Sequence, residues 1–473
     1  MDNTDTAIIL ITCDELKKDT LSCYGNRAIT TGNIDRLKEM GTDFDRAYTA
    51  SPWCLPARCS ILTGLYPHNS GAYSNFRPCP LDKGRKNLFR ELKNSGYTTA
   101  VFGKCHFIPV EYGKASAEKT LPYDKEIEYY KSLGIDHLEL EDGKQVSVWF
   151  QDDYSRELER AGYLQAYREA VWSRENQKVF PFPGPTNLHP DYWVGERAAE
   201  HIRSSKEDAL FAWISFSGPH YPFDAPQEYW EKVDEEKLPP IILEKGEFDG
   251  EDRIHHDSYH GGRNSNIDGS GPAPGRACKN YTEDYWRELR ISYHANMKLI
   301  DDQIGKIIDA VHDRYGDNAL ILFTADHGEM LGNHGLWGKH NCGYEEVWKI
   351  PMIVKFPGQK KGESSKKLVN STDIFPTCLE AAGAEEIECD GISLYRKEER
   401  EYTFAEGEGY LAITDGRYKY IHVQKGQEAG RELLDLQEEP QEFRNLMGLD
   451  RYQPVLARLR EKMIEHMLPA ILP

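Results

Sequence analysis

Acids, histidines and lysines follow several apolar segments of the chain, and these side chains can bind a metal ion or an anion. They are Asp14 and Glu15 after AIILITC, Lys104 and His106 after YTTAVFG, His220 after ALFAWISFSGP, Asp326 and His327 after ALILFTA, and Lys339 and His340 in GLWGKH. Each residue alone is typical of a structural or solvated position. Together, carboxylates with an imidazole suit Ca²⁺, Mg²⁺ or Mn²⁺, and the lysines suit a tetrahedral oxyanion.

A cysteine with a proline and an arginine close behind it stands in the segment SPWCLPARCSILTG (51–64). Pro56 fits the first turn of a helix that runs to Gly64, so Cys54 is expected just before a helix N-terminus that favours anions. A cysteine phosphatase needs an arginine six residues on, where Ser60 stands. A nucleophilic thiol and a small buried residue at a helix start both remain open on the residues alone.

The elements that must position these residues alternate between strand and helix. AIILIT (7–12) is apolar throughout and predicts a central parallel strand. Thr282 is expected to cap a long helix that ends at Gly316. Strands alternating with helices indicate an α/β fold with a mainly parallel sheet. In such sheets the active site lies beyond the carboxyl ends of the strands, where the candidate residues stand.

Two segments interrupt this alternation, and the pattern changes near the C-terminus. Residues 114–191 are charged and aromatic, and residues 246–280 are rich in Gly, Asn, Asp and His, so both are predicted to be irregular insertions. His255, His256 and His260 are interpreted as loop residues of the second insertion. A catalytic domain is predicted over 1–365. A smaller α+β subdomain with a short antiparallel sheet is predicted over 366–473.

Chain length, net charge and composition narrow the possible functional classes. The chain has 473 residues and a formal net charge of −20, which argues against a general nucleic-acid or anionic-membrane binder. No apolar run reaches the ~18 residues of a membrane span. The start, MDNTDTAIILIT, predicts a buried strand and a cytoplasmic protein, although a leader removed before Met1 would leave the same sequence. Its 10 cysteines contain no CxxC pair, which favours reduced thiols.

The segment CLPAR followed by SILTG closely resembles the signature of the type I sulfatases of the alkaline phosphatase superfamily. ILITCDELKKDTLSCYGN, GYTTAVFGKCH, SGPHYPF and LFTADHGEMLGNHGLWGKH are similar to further family motifs, and ELLDLQEEPQEFRNL to its C-terminal signature. The resemblance implies an alkaline-phosphatase-like α/β/α sandwich that hydrolyses sulfate esters. It also implies that a formylglycine-generating or radical maturation enzyme oxidises Cys54 to formylglycine, whose hydrate is the nucleophile.

The resemblance implies roles for the residues that match the family motifs. One divalent cation, with Ca²⁺ favoured, would be held by Asp14, Glu15, Asp326, His327 and the modified Cys54. Arg58 would hold the nucleophile, His106 would act as the base that frees sulfate, and His220 would protonate the leaving oxygen. Lys104, His220, Lys339 and His340 would contact the substrate, which is a sulfated carbohydrate or a small organic sulfate. The sequence does not distinguish a monomer from a homo-oligomer.

Three positions depart from the family pattern: Glu15 stands where Asp is frequent, Cys105 where Trp is usual, and His327 where some members have Asn. A phosphonate monoester or phosphodiester hydrolase of the same superfamily is the alternative enzyme. A non-catalytic oxyanion- or glycan-binding protein, with Cys54 left as a thiol, is the alternative from another class.

Overall fold

The strands lie mostly where the apolar runs predict them. The computed structural model describes residues 6–77, 79–111, 119–173, 178–250, 253–261, 278–339, 343–424 and 429–468. Within these residues the strands are β1 (Ala7–Asp14), β2 (Thr42–Tyr48), β3 (Thr98–Gly103), β4 (Leu121–Pro122), β5 (His137–Leu140), β6 (Phe150–Gln151), β7 (Leu210–Pro219), β8 (Ala319–Ala325), β9 (Met352–Lys355), β10 (Glu363–Asn370), β11 (Thr403–Gly407), β12 (Tyr410–Thr414), β13 (Tyr418–Val423) and β14 (Gly430–Asp435).

The helices range from single turns to one long central helix. They are α1 (Gly32–Met40), α2 (Cys54–Thr63), α3 (Pro67–Ser70), α4 (Leu88–Asn94), α5 (Asp124–Ser132), α6 (Lys144–Trp149), α7 (Asp153–Arg160), α8 (Leu164–Trp172), α9 (Pro190–Ser204), α10 (Gln227–Trp230), α11 (His256–His260), α12 (Glu283–Tyr315), α13 (Glu345–Trp348), α14 (Ile374–Ala381) and α15 (Gln453–Met467). Across the described ranges, no helix is both long and apolar enough to span a membrane.

An eight-stranded sheet carries the candidate residues, in the order β10-β2-β9-β8-β1-β7-β3-β5. β9 runs antiparallel to both of its neighbours, and the other adjacent strands pair in parallel, as predicted. β1 lies between β8 and β7 and is buried along its whole length. Because β1, β3, β7 and β8 are parallel, their carboxyl ends meet at one edge of the sheet.

Helices pack on this sheet in two groups. α9 and α12 pack together and against β7, and α1 packs against α12; α2, α4 and α14 form the second group. The predicted cap of α12 is present, since the Thr282 hydroxyl accepts from the backbone N–H of Tyr285 and the helix ends at Gly316. The long helix therefore supports the strands that end at the candidate site.

The first predicted insertion is more regular than its composition indicated. The described part of 114–191 forms α5 to α8, and β5 joins the edge of the main sheet beside β3. Tyr130, Val148 and Tyr167 are buried within the main hydrophobic core, so this segment belongs to the folded body. Much of 246–280 lies outside the described residues.

A four-stranded antiparallel sheet, β11-β12-β13-β14, forms the predicted C-terminal subdomain. α15 packs on it, with Leu456, Leu459 and Met463 against Ile413 and Tyr420. The predicted boundary between residues 365 and 366 needs correction, because it falls inside β10, which pairs with β2 in the main sheet up to Asn370. α14 also packs on α2 and α4, so the subdomain sheet begins only at Thr403.

Candidate active site

The candidate residues meet beyond the carboxyl ends of four neighbouring strands. Asp14 ends β1 and Glu15 follows it. Lys104 directly follows β3, His220 directly follows β7, and Asp326 and His327 directly follow β8. Most of these side chains are buried, and Asp14, Asp326 and His327 are fully so. The parallel sheet therefore assembles a polar site from segments more than 300 residues apart.

Cys54 lies within a group of metal-binding side chains. It is the first residue of α2, one position further into the helix than expected. Its Sγ lies 3.1 Å from Nε2 of His327 and 3.6 Å from Oδ1 of Asp14. Asp14, Cys54, Asp326 and His327 each offer one ligand atom, and these atoms lie within 4.8 Å of one another. This spacing suits a single cation.

Arg58 lies one helical turn after Cys54, so α2 directs both side chains toward the same site. The guanidinium is fully buried. Its Nε donates to Oδ2 of Asp326 at 2.9 Å, and Nη1 donates to the Lys104 carbonyl at 3.0 Å and to the Ser215 hydroxyl at 2.7 Å. Nη2 is 3.9 Å from Oδ2 of Asp14 and has no hydrogen-bond partner within the described part of the chain. One donor therefore stays available to a bound oxygen.

Two lysines bring positive charge to the site. Nζ of Lys104 donates to Oδ2 of Asp14, and Nζ of Lys339 lies 3.2 Å from Oε2 of Glu15. Gly103 allows the chain to turn toward Lys104: its φ is +92°, and a Cβ there would lie 2.1 Å from the Ser215 carbonyl oxygen. A side chain at position 103 would therefore displace β3 from β7 or move Lys104 out of the site.

Glu15 lies between the cation-binding group and the second lysine. Its backbone N–H donates to Oδ1 of Asp326 at 3.0 Å, with φ at +61°. Its carboxylate faces Lys339 and His220, and Oε1 is buried without a hydrogen-bond partner among the residues described. Burial, with the nearby Glu329 carboxylate, raises the pKa of Glu15 well above its usual value, although Lys339 opposes the rise. Its role as a metal ligand stays a prediction.

His106 and His220 are held differently. The backbone N–H of His106 donates to Oδ1 of Asp142 at 2.8 Å, and its ring Nδ1 is buried with no hydrogen-bond partner in the described ranges. Nδ1 of His220 donates to the Tyr221 carbonyl at 2.6 Å, which directs Nε2 to Glu15 at 3.1 Å. Burial and the charge of Lys339 lower the pKa of His220 to about 4.

The surrounding positive charges strongly lower the pKa of the Cys54 thiol. Burial alone would raise the pKa of the thiol, but Lys339, Lys104 and His327 hold it well below its ordinary value, and a hydrogen bond from His106 acts in the same direction. A site that stabilises a thiolate stabilises any anion in that position. The position of Sγ is therefore suited to a negatively charged group.

A buried polar network behind the site holds the loop that carries His220. Nζ of Lys144 donates to Asp224 at 2.6 Å, to Oδ1 of Asn296 at 2.8 Å and to the Pro222 carbonyl at 3.3 Å. Nδ2 of Asn296 donates to Asp191 at 2.9 Å, and Asp191 accepts from the backbone N–H of Gly218 at 2.8 Å. Both ends of the loop are therefore fixed.

Sequence reasoning missed the members of this network and other supporting residues. Asp142 accepts from the backbone N–H groups of Cys105 and His106 and from two tyrosine hydroxyls. The Asn75 side chain accepts from the N–H of Leu55 at the start of α2, at 2.9 Å. No local pattern marks these residues, because each contact joins distant parts of the chain.

One predicted site residue falls outside the described ranges, and the three histidines of the second predicted insertion have local contacts. His340 lies outside the described residues. His256 contacts Asp257, His260 donates to the Phe248 carbonyl, and the His255 ring packs on Tyr344. These three histidines therefore have local roles in and beside α11.

Two family models together match nearly the whole chain. A family model described as Sulfatase matches residues 6–384, and one described as N-sulphoglucosamine sulphohydrolase, C-terminal, matches residues 332–468. An arylsulfatase of Clostridium perfringens is 26% identical over 483 residues, covering 97% of this chain and 94% of that protein. The multifunctional alkaline phosphatase superfamily protein PehA of Trinickia caryophylli is 27% identical over 511 residues, covering 96% and 94%.

Among solved structures, a phosphonate monoester hydrolase of Agrobacterium radiobacter superposes with a TM-score of 0.78 at 21% identity, covering 98% of this chain and 96% of that one. At this identity the likeness concerns the fold. It confirms the expected alkaline-phosphatase-like architecture.

Proposed function

This chain belongs to the sulfatase family and is a sulfuric ester hydrolase, and we propose that its nucleophile is a formylglycine made from Cys54, assisted by one divalent cation. The observation that carries the proposal is the position of Cys54 Sγ, which lies 3.1 Å from His327 among three candidate metal ligands and faces a cluster of cations. A hydrated formylglycine supplies one hydroxyl that attacks sulfur and a second that later releases sulfate.

The residues present fit a divalent cation. Asp14, Asp326 and His327 offer two carboxylates and one imidazole, a set that hard divalent cations accept. Ca²⁺ is the favoured ion. When bound, the ion lowers the pKa of the nucleophilic hydroxyl and polarises a sulfate oxygen. Arg58 keeps Asp326 in place through its Nε, and its Nη2, which has no hydrogen-bond partner among the described residues, is available to the nucleophile.

The other residues neutralise charge on the sulfate group or transfer protons to and from it. Lys104, already paired with Asp14, neutralises sulfate oxygens from the metal side. Lys339 and His220 both reach Oε2 of Glu15; Lys339 offsets the charge of the departing oxygen, and His220, once protonated at Nε2, gives that oxygen its proton. The His106 side chain forms a hydrogen bond with Cys54, which suits its imidazole to take the proton that frees sulfate.

The proposed substrate is a sulfated carbohydrate or a small organic sulfate. The match of residues 332–468 to the C-terminal model of an N-sulphoglucosamine sulphohydrolase supports a sugar, and the arylsulfatase relative supports a smaller ester. Phosphonate monoester or phosphodiester hydrolysis is the second candidate. It is supported by the fold shared with a phosphonate monoester hydrolase and by the multifunctional relative.

An activity panel tests this assignment. Matured protein is assayed with aryl sulfate, sulfated monosaccharides, a phosphonate monoester and a phosphodiester at equal concentrations. We expect the highest kcat/KM with a sulfate ester and weaker hydrolysis of the phosphorus esters. A phosphonate preference over every sulfate ester would instead favour the second candidate.

A further inference from the structure

His68, Glu406 and His466 form a buried cluster outside the active-site residues. His68 lies in α3, Glu406 in β11 and His466 in α15, so three separate parts of the chain meet here. Their side chains are only 8%, 5% and 11% exposed, respectively. The cluster is absent from the sequence motifs because its members are 338 and 60 residues apart.

The two imidazoles converge on one carboxylate. Nδ1 of His68 lies 2.8 Å from each oxygen of Glu406, and Nε2 of His466 lies 2.5 Å from Oε1. The backbone N–H of His68 also donates to Oε2 at 2.9 Å. One ligand atom from each residue lies within 4.8 Å of the others. Both carboxylate oxygens thus face the point where the imidazole nitrogens meet.

Aromatic rings fix the orientation of the histidines. The Phe404 ring stacks on His466 with centroids 3.7 Å apart and an angle of 3°, and Tyr66 meets the same imidazole edge-on at 4.7 Å. Nε2 of His68 is buried and has no hydrogen-bond partner among the described residues. Packing therefore holds the His466 ring in one orientation, with Nε2 toward Glu406.

We propose that His68, Glu406 and His466 bind a structural Zn²⁺ ion. Two imidazoles and a carboxylate are ligands that zinc accepts, with a water completing the coordination. Zinc–ligand bonds of about 2.0–2.2 Å place ligand atoms roughly 3.3 Å apart. Nε2 of His466 lies 2.5 Å and Nδ1 of His68 lies 2.8 Å from the Glu406 carboxylate, so these separations need to widen by less than an ångström.

The local charge favours a cation here. With neutral imidazoles, Glu406 brings one negative charge into a nearly buried site, and Asp390 adds a second that acts on His68. Arg400, which approaches through the Tyr66 hydroxyl, is already paired with Asp373. A divalent ion would compensate these charges and join α3, β11 and α15. Since none of its ligands takes part in the proposed sulfate-ester cleavage, this inference is independent of that function.

Metal stoichiometry tests the site. The full chain is stripped with a chelator, loaded with Zn²⁺ and dialysed, and bound zinc is measured for the natural sequence, Glu406→Gln and His466→Gln. Both variants keep a hydrogen-bonding side chain of similar size. We expect each to bind one zinc ion fewer than the natural sequence. His422→Gln, on neighbouring β13, is the matched control and should retain the full content.

A second measurement isolates the site from the active centre. In an Asp326→Asn background, Co²⁺ should still bind, give visible absorption bands and be displaced by Zn²⁺. Adding Glu406→Gln should weaken this binding at least ~10-fold. Equal zinc content in the natural sequence and both variants would overturn the proposal. A melting temperature that changes with pH but not with added Zn²⁺ would also overturn it, because the cluster would then be held by hydrogen bonds alone.

Discussion

His220 and Lys339 meet at a single oxygen atom of Glu15. Nε2 of His220 lies 3.1 Å from Oε2, and Nζ of Lys339 lies 3.2 Å from the same atom. His220 directly follows β7 and Lys339 lies in the loop between β8 and α13, yet both side chains contact the same oxygen. Lys339 can therefore offset negative charge that develops on an oxygen at this point.

Lys339→Ala should therefore lower kcat/KM by at least ~10²-fold, the scale for losing one preorganised electrostatic contact. The loss should be larger for alkyl sulfates than for nitrophenyl sulfate, because a poor leaving group develops more charge. Lys355→Ala, which removes a lysine of similar burial from β9, should leave the rate unchanged. Equal losses for both leaving groups would reassign Lys339 to substrate binding.

Cys54, and not Cys59, should carry the aldehyde in active protein. Cys59 lies one turn further along α2, fully buried and outside the metal-binding group. Peptide mass spectrometry of material from a competent host should show the mass change on the Cys54 site alone. Cys54→Ala should abolish turnover and leave the circular dichroism spectrum intact. Full activity with an unmodified thiol would contradict the mechanism.

Asp326→Asn should lose metal and activity together. The variant keeps the shape that supports Arg58 but removes one ligand charge, so metal affinity should fall at least ~10-fold. Glu15→Gln should weaken binding less, because its carboxylate faces Lys339 and His220. Asp301→Asn, a buried aspartate that accepts from backbone N–H groups at the start of α1, is the control. Unchanged metal content in Asp326→Asn would remove that residue from the ligand set.

Asn296→Ala should act on catalysis through the loop of His220. It removes the bridge between Lys144 and Asp191, so the Lys144 ammonium loses one acceptor and the Asp191 carboxylate loses one donor in a buried site, which costs about 1–3 kcal/mol of stability. Misplacement of His220 should also lower kcat, by up to ~10²-fold, with little change in KM. Lys298→Ala, on the same helix but paired with Asp302, should change neither quantity much. A loss of stability with normal kcat would show that the network serves folding only.

Asp224 should make stability depend on acid pH. Burial alone would raise the pKa of this carboxyl, but Lys144 and His189 lower it to about 2, against an ordinary value of 3.8. The charged form stabilises the fold fully above pH 3.8, and this contribution is lost as pH falls toward 2. Asp224→Asn should therefore cost about 2 kcal/mol or more at pH 7 and progressively less below pH 3.8. Urea unfolding of both proteins across this range measures the difference; a constant difference would contradict the assignment.

The strand ends and the helix of Cys54 were predictable because each is encoded locally. A buried parallel strand appears as an unbroken apolar run, and the residue after it must lie at the sheet edge, as Asp14 and Asp326 do. The direction of the Glu15 carboxylate was not predictable. It depends on a left-handed backbone conformation and on Lys339, 324 residues away.

The supporting residues escaped prediction for a related reason. Lys144, Asp191 and Asn296 become a network only when α6, α9 and α12 pack together, and nothing near any of them in sequence signals a partner. The same is true of His68 and Glu406. The irregular composition of 114–191 also concealed helices that fold because their buried faces join the main core.

All ten residues of α2 are buried, from Cys54 through Pro56 and Arg58 to Thr63. A second enzyme that acted on this segment would need to hold it in a groove of its own, and the finished protein offers no such access. The proposed conversion of Cys54 would then have to occur while the chain is still being synthesised or before it folds. The amount of active protein in a cell would then depend on the rate of modification relative to the rate of folding. A chain that folds before modification would keep its thiol permanently.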